Sequence, residues 1–512
     1  MTATDEREFE LKLALGKSDQ QALARHVTAL GLASGGPKRQ HLVSTYFDTP
    51  QRTLFDAGMT LRLRRNGRKT VQTVKAGRLI RGGISNPDEI ETAASGDSPS
   101  LEIMPESALR RRLGKLINGD AVGPMFSTDV RRRTWQFSSN GFAAELALDS
   151  GQVVSDGVSV PISEAELELK KGDIDSFLSL AEQIFSEVPL RFSRVSKSHR
   201  GFLAIGAVTA PPVAPLKSPK VKFSRHDSIG KVFEVLFASA SAQVLENWQG
   251  VTEDDDPSYA HQMRIGIRRM RTMIKLLKGL VKDEKLARLN AELRALGQLV
   301  GELRNSDVMI DDIVRPAIAG ITAVGGSDAL LKVLKDHREI VRARVRADLL
   351  DRRFNGLRLR LALLPHGACW RDGLREDRPV ALFAHASLAR LWKKAKKQGE
   401  RLERLSIEER HELRKDLKTL RYALESFAPV LPRKVFQRWH GKLKALQDSF
   451  GYLNDVALAA KLPAIATGQG TRRQAAQAAA FVVGWHAAHS EIAFSVLLSR
   501  WRRLADQTPP WA

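Results

Sequence analysis

Near the N-terminus, Glu8-Phe9-Glu10-Leu11-Lys12-Leu13 alternates charged and apolar residues without a break. A period of two is that of a β-strand. It sends Glu8, Glu10 and Lys12 to one face and Phe9, Leu11 and Leu13 to the other. Alone, such a strand is an amphipathic one with its charged side in water; the alternative is a strand whose charged face lines a polar cavity. Further strands favour the second reading. Glu164-Ala165-Glu166-Leu167-Glu168-Leu169-Lys170 repeats the alternation, and Arg62 and Arg64 share a face in Leu61-Arg62-Leu63-Arg64. Glu145 and Asp149 share another, Thr73 and Lys75 lie two apart, and so do Glu89 and Glu91. Acids and bases on one face of several strands predict a closed antiparallel barrel that is polar inside, with helices against its apolar outer surface. Opposite charges packed together offset the cost of burying either sign alone. Hard divalent cations such as Mg²⁺ take carboxylate and phosphate oxygens, while Arg and Lys neutralise the remaining phosphate charge.

The rest of residues 1–207 fits an α+β domain. Strand patterns recur at Tyr46–Phe47, Met59–Leu63, Val71–Val74, Trp135–Phe137, Phe142–Leu148 and Ala165–Leu169. Turn signals separate them at Asn66-Gly67, Gly82-Gly83, Ser139-Asn140-Gly141 and Gly172-Asp173, and short helices fit Asp19–Leu30, Leu101–Ile117 and Ile174–Ser186. Residues 208–222 are rich in proline, which predicts an extended spacer. From there to residue 512 the three-and-four spacing of apolar residues is helical.

The helical part repeats itself. His261-Gln262-Met263-Arg264 returns as His411-Glu412-Leu413-Arg414, and Leu293, Gly301 and Asn305 find counterparts in Leu443, Gly451 and Asn454. Two units, about 224–370 and 375–505, are expected to form two helical bundles around a pseudo-twofold axis. On one helix face His261, Arg264, Arg268 and Arg271 fall together; on its copy, so do His411, Arg414, Lys418 and Arg421. One such face is an ordinary solvated surface, but recurrence at the same register points to a function.

Charge supports that division. Residues 1–210 hold 28 Lys and Arg against 25 Asp and Glu, so +3 of the net +23 lies there and +20 in the remainder. A field of that sign attracts nucleic acid, anionic membrane or inorganic polyphosphate. One cysteine, Cys369, excludes an intrachain disulfide and fits a reducing cytoplasm. The polar N-terminus and the lack of any uninterrupted apolar run of membrane-spanning length predict a soluble cytoplasmic protein without membrane association.

The residues of the first half resemble the CYTH domain of triphosphate tunnel metalloenzymes over about residues 5–205. The resemblance rests on Glu8-x-Glu10-x-Lys12, Tyr46-Phe47-Asp48-Thr49-Pro50, Leu61-Arg62-Leu63-Arg64-Arg65, Lys75 and Glu166-x-Glu168. It implies an eight-stranded tunnel and hydrolysis of a triphosphate, most often inorganic triphosphate, with Mg²⁺ or Mn²⁺. By position, Glu8, Glu10, Glu166 and Glu168 would hold metal, with Glu8, Glu10 and Lys12 catalytic. Arg62, Arg64, Lys75, Arg133 and Lys197 would bind phosphate. Where the family often carries Arg-x-Glu-x-Glu, this chain has Pro87 before Glu89 and Glu91, so that arginine contact is missing. The second half resembles the CHAD domain over about residues 224–505, which implies polyphosphate binding by the two basic faces and association with polyphosphate granules. Two alternatives remain: a non-catalytic polyphosphate-binding protein, and a nucleic-acid-binding protein. The latter is disfavoured by an aromatic content of 6% and the lack of a stacking or helix-turn-helix motif.

Overall fold

Alternation in the first half becomes nine strands: β1 Phe9–Ala14, β2 Lys38–Asp48, β3 Met59–Asn66, β4 Lys69–Ala76, β5 Ile84–Ser85, β6 Asp88–Ala94, β7 Gly123–Ser139, β8 Phe142–Ser155 and β9 Val158–Lys171. The computed structural model describes residues 9–77, 80–155, 157–208, 214–278, 280–281, 283–319, 325–367, 374, 378–467 and 471–512. All nine strands form one antiparallel sheet in the order β5-β1-β9-β8-β7-β2-β3-β4-β6. Its two outermost strands are consecutive in the chain, separated only by Asn86 and Pro87. That link spans at most about 11 Å, so the sheet must curl until its two edges come within that distance at the link. The expectation of an eight-stranded closed ladder is therefore corrected. There are nine strands, and among the described residues no ladder joins β5 to β6; Pro87 has no N–H to donate there.

The predicted turns fall where the chain needs them: Gly67 and Gly141 take positive φ at the β3–β4 and β7–β8 reversals. In this half the helices are α1 Lys17–Leu30, α2 Thr53–Asp56, α3 Ala108–Ile117, α4 Ile174–Ile184 and α5 Lys197–Ala204. Helix α3 begins seven residues later than expected. Pro105 disfavours a helical residue before it, and Ser107 caps the helix by accepting from the Arg110 N–H at 3.0 Å.

The helical half holds α6 Ile229–Glu253, α7 Pro257–Leu277, α8 Glu284–Val308, α9 Arg315–Ile318, α10 Ser327–Leu350, α11 Asn355–Leu363, α12 Val380–Gly399 and α13 Ile407–Ser426. It ends with α14 Arg433–Ala459, α15 Leu462–Ala466 and α16 Thr471–Ala505. Two compact units result: residues 1–214 with 351–368, and residues 215–350 with 369–512. The boundary read from the sequence assigned 351–368 to the second domain. Instead Asn355 Nδ2 donates to the carbonyls of Phe185 (2.9 Å) and Val188 (2.8 Å), and the Arg358 guanidinium lies 5.3 Å over the Phe192 ring.

In the second unit, the described end of the proline-rich stretch is docked rather than free. Leu216 exchanges two hydrogen bonds with the buried Asn247 side chain on α6, at 3.1 and 2.9 Å, and Ser239 Oγ donates to Pro219 O at 3.2 Å; residues 209–213, with Pro211 and Pro212, lie outside the described residues. Helices α7 and α13, which carry the repeated segments, pack against each other. Their apolar positions are core: Met263, Ile267, Met270, Leu413, Leu417 and Leu420 are buried. A second core joins Ile310 and Ile313 with Leu330, Leu334, Ala475, Ala479 and Val482. Helix α16 is long and apolar enough to cross a membrane by length and composition. The sequence reading passed over it because small and polar residues interrupt the apolar run.

Candidate functional site

Inside the curl of the first unit lies a cavity of about 240 Å³. Six carboxylates and seven basic groups are among the described residues that line it. Strand register explains how they arrive. Glu10 on β1 stands opposite Glu168 on β9, and Glu168 opposite Glu145 on β8, so three carboxylates lie abreast. One step along, Lys12 stands opposite Glu166; beyond that, Glu164 faces Asp149, which faces Arg132 on β7. Acid and base thus alternate between rows as well as along strands.

The middle rows form a tight ionic cluster. Lys12 Nζ lies 2.8 Å from Glu10 Oε1 and 2.6 Å from Glu166 Oε1. Arg132 grips both oxygens of Asp149, at 2.7 and 2.6 Å, and reaches Glu166 Oε2 at 2.8 Å. Lys197, the first residue of α5, places its ammonium 2.7 Å from Asp149 and 2.9 Å from Glu166, and also pairs with Glu164. Burial would raise the Glu166 carboxyl, but Lys12, Lys197 and Arg132 hold it well below the usual carboxylate range. Asp149 is likewise lowered, by Lys197 and Arg132 against its burial. Burial would lower the Lys12 ammonium, yet Glu10 and Glu166 hold it well above its ordinary value.

The opposite wall is more positive. Lys75 Nζ pairs with Glu89 at 2.9 Å, and Arg62 lies 4.0 Å from Glu91, which also accepts from Thr73 Oγ1 at 3.0 Å. Tyr46, stacked on Phe126 at 4.8 Å, hydrogen-bonds Arg62; burial would raise its hydroxyl pKa, but Arg62 and Lys197 lower it. Arg64 differs from its neighbours. Among the described residues no carboxylate comes within ion-pair distance of it, and its Nε, like that of Arg62, is buried without a hydrogen-bond partner. Burial, with Arg62 and Arg132 beside it, lowers its pKa to about 10.

Eight of the expected site residues line this cavity: Glu10, Lys12, Arg62, Arg64, Lys75, Glu166, Glu168 and Lys197. Glu8 lies outside the described residues. Arg133 is a correction: it is not among the lining residues, and its guanidinium lies 5.8 Å from the Trp135 ring. Its neighbour Arg132 enters instead. The buried alternation Phe126, Thr128, Val130 runs into Arg132, so strand parity alone carried that signal. Lys197 lines the cavity, with its ammonium among the carboxylates of Asp149, Glu164 and Glu166. Glu145 and Tyr46 were passed over as ligands, though Glu145 sits on the same alternating face as Asp149. Asp48, in the tyrosine-containing motif, is structural: it accepts from the N–H groups of Thr49, Leu54 and Phe55 at 2.8–2.9 Å and shapes α2.

In the second unit, the basic residues of α7 and α13 face one another electrostatically. Burial lowers Lys418 to a pKa of about 6, reinforced by Arg268, Arg414, Arg421 and Arg264. Burial lowers Arg264 to about 10, with Arg268 and Arg304 adding to it. Burial and then Arg304 and Arg268 lower His261; burial, Lys415 and Arg414 lower His411. Arg268 also acts on Arg271 and Arg414, so it is common to both helices. Arg304 on α8 is an added member. Gly301 leaves room for the cluster, because a Cβ there would meet Arg264 Nη1 at 2.0 Å.

Two family models match this chain. The family model of the CYTH domain matches residues 6–202, and that of the CHAD domain matches residues 236–463. A Haemophilus influenzae protein named inorganic triphosphatase is 29% identical over 207 residues, which are 38% of this chain and 54% of that protein. The chain thus spans about half the length of that curated relative. The solved CHAD domain of Ricinus communis superposes with a TM-score of 0.50 at 24% identity, covering 58% of this chain and 98% of that one. A Hippeastrum structure described as a putative adenylyl cyclase with a dominant triphosphatase activity matches at 19% identity, over 40% of this chain and 98% of that one, with a TM-score of 0.30.

Proposed function

The chain joins a CYTH domain, residues 6–202, to a CHAD domain, residues 236–463, and from this we propose a metal-dependent triphosphatase coupled to a polyphosphate-binding module. The observation that carries the reading is Arg64, a cavity guanidinium with no ion-pair partner among the described residues, in a chamber that also holds the Glu10, Glu168 and Glu145 row. Glu10 and Glu168 of that row meet Lys12 at 2.8 Å and Lys170 at 2.5 Å, and the row's all-oxygen donor set suits Mg²⁺ or Mn²⁺. Glu10, Glu168 and Glu145 would hold that ion, and by the alternation of the sequence Glu8 would join them. Glu166 would belong to the same set, its present partners being Lys12, Lys197 and Arg132. When bound, the ion supplies charge neutralisation at the phosphoryl oxygens.

The chain's own groups do the rest. Arg64 and Arg62 take the non-bridging oxygens of the triphosphate, Arg62 being oriented by Tyr46, and Lys75 takes the far end. Lys12 holds Glu10 in place. Fixed donors of this kind stabilise the charge that gathers on the leaving diphosphate. Among the described lining residues Tyr46 is the one aromatic, so the cavity offers little platform for a nucleobase, which favours inorganic triphosphate. In the CHAD domain, the basic groups His261, Arg264, Arg268 and Arg271 with His411, Arg414, Lys418 and Arg421 bind inorganic polyphosphate. The reading places the protein in the cytoplasm.

Phosphate release by the full chain from inorganic triphosphate and ATP, with Mg²⁺ or Mn²⁺, tests this. Triphosphate should be cleaved preferentially, and Glu168→Gln or Arg64→Met should each cost about a hundredfold or more. A folded wild-type chain that binds triphosphate but releases no phosphate with either metal would leave a holder in place of an enzyme.

A further inference from the structure

The strand parity that brings Arg132 and Arg64 into the cavity turns their neighbours the other way. Arg131 and Arg133 on β7 therefore lie on the outer side of the sheet. So do Arg39 and His41 on β2, which flank Gln40 opposite Arg132, and Arg65 on β3. Register sets like charge against like: Arg39 stands opposite Arg133, and His41 opposite Arg131. Directly opposed side chains lie about 5 Å apart and those two along a strand about 7 Å, so four basic groups share one small rectangle, at a cost in repulsion. Asp129 pairs with His41 at 2.7 Å, and among the described residues none of Arg39, Arg65, Arg131 and Arg133 has a carboxylate within ion-pair distance. Helices cover this side elsewhere: Leu109 and Leu113 of α3 pack with Leu61, Leu63, Val74 and Ile90, and α1 and α4 pack on β9. Arg39, His41, Arg65 and Arg131 stay exposed.

Such a surface fits a polyanion that carries no bases. No large hydrophobic side chain of β2, β3 or β7 is exposed, so a protein partner finds no apolar anchor. The aromatic residues of those strands, Tyr46, Phe47, Phe126, Trp135 and Phe137, are buried, and nucleobases have nothing to stack on. We propose that this outer face of the first unit is a second binding site for inorganic polyphosphate, held by Arg39, Arg65, Arg131 and Arg133. It shares no residue with the cavity or with the basic faces of α7 and α13. The ligand class rests on the polyphosphate reading above; the place rests on the sheet register. A phosphate polymer carries negative charge at every repeat, so a single chain relieves both opposed pairs at once.

Arginine modification of the full wild-type chain by phenylglyoxal, located by mass spectrometry, tests this without any substitution. Long-chain polyphosphate should protect Arg39, Arg65 and Arg131, whereas inorganic triphosphate should leave them reactive. Protection confined to the arginines of α7 and α13 overturns the proposal and leaves the CHAD reading standing. Protection of Arg39, Arg65 and Arg131 alone supports the proposal and defeats that reading, and no protection anywhere overturns both. Duplex DNA at the same salt and phosphate concentration should protect the three less; equal protection overturns the choice of ligand. Arg39→Ser with Arg65→Ser and Arg131→Ser should also flatten the salt dependence of polyphosphate binding, by about one in slope for each cation that contacts the chain. Triphosphate hydrolysis should be unchanged in that variant, since none of the three lines the cavity. An unchanged slope in the folded variant overturns the proposal.

Discussion

Lys418 shows what a single misplaced charge reveals. Its pKa of about 6 follows from burial and from Arg268, Arg414, Arg421 and Arg264, against the partial relief of Asp455. A base depressed in the fold costs stability below its unfolded value near 10.5, and the cost grows until the pH reaches about 6. A bound polyanion reverses this by restoring the charged form, so binding takes up a proton. Polyphosphate affinity should therefore rise as pH falls from 8 to 7, by up to about tenfold. Below about pH 6 it should level as far as Lys418 is concerned, while the two histidines, lowered in the free chain, add proton uptake of their own. Titration by fluorescence anisotropy at fixed salt checks this, and Lys418→Met should flatten the upper part of the profile. At this scale the sequence was largely legible, because alternation names the inward residues once the strand is known. It missed Arg132, where three consecutive arginines hide the parity, and it could not name the partners of Lys197, which lie on β8 and β9 and become neighbours only through the fold.

At the scale of elements, close packing ties α5 to the cavity. A Cβ on Gly201 would lie 1.9 Å from the Phe126 ring, and Phe126 stacks on Tyr46, which orients Arg62. Gly201→Ala should therefore destabilise the first unit by about 1–3 kcal/mol through overpacking, read as a lower urea midpoint. It should also raise the KM for triphosphate, as Tyr46 shifts. Long strands with strict alternation could be read directly, as could the turns at Gly67 and Gly141. Strand β5 could not: two residues carry no period, and only pairing with Glu10 and Leu11 makes Ile84–Ser85 a strand. Strand β7 was seen only at its end because both of its faces are partly buried, which erases the pattern.

For the molecule as a whole, the lesson lies in chain connectivity. Residues 351–368 leave the helical half and complete the first unit, a return that no local pattern announces. Asn355 is its anchor, so Asn355→Ala strips the Phe185 and Val188 carbonyls of their donor and should cost the first unit about 1–3 kcal/mol. Pulse proteolysis of the full chain should then show earlier cleavage within residues 1–207, with α7 and α13 protected as before. The uneven charge, +3 before residue 211 and +20 after it, needed no structure to be read. The link through Asn86 and Pro87 has a further effect. A seam stitched by covalent backbone does not unzip, so the girth of the chamber is capped by chain length rather than by the strength of a ladder. Slender, thread-like anions suit such a hoop; bulky guests would have to stretch the stitch itself.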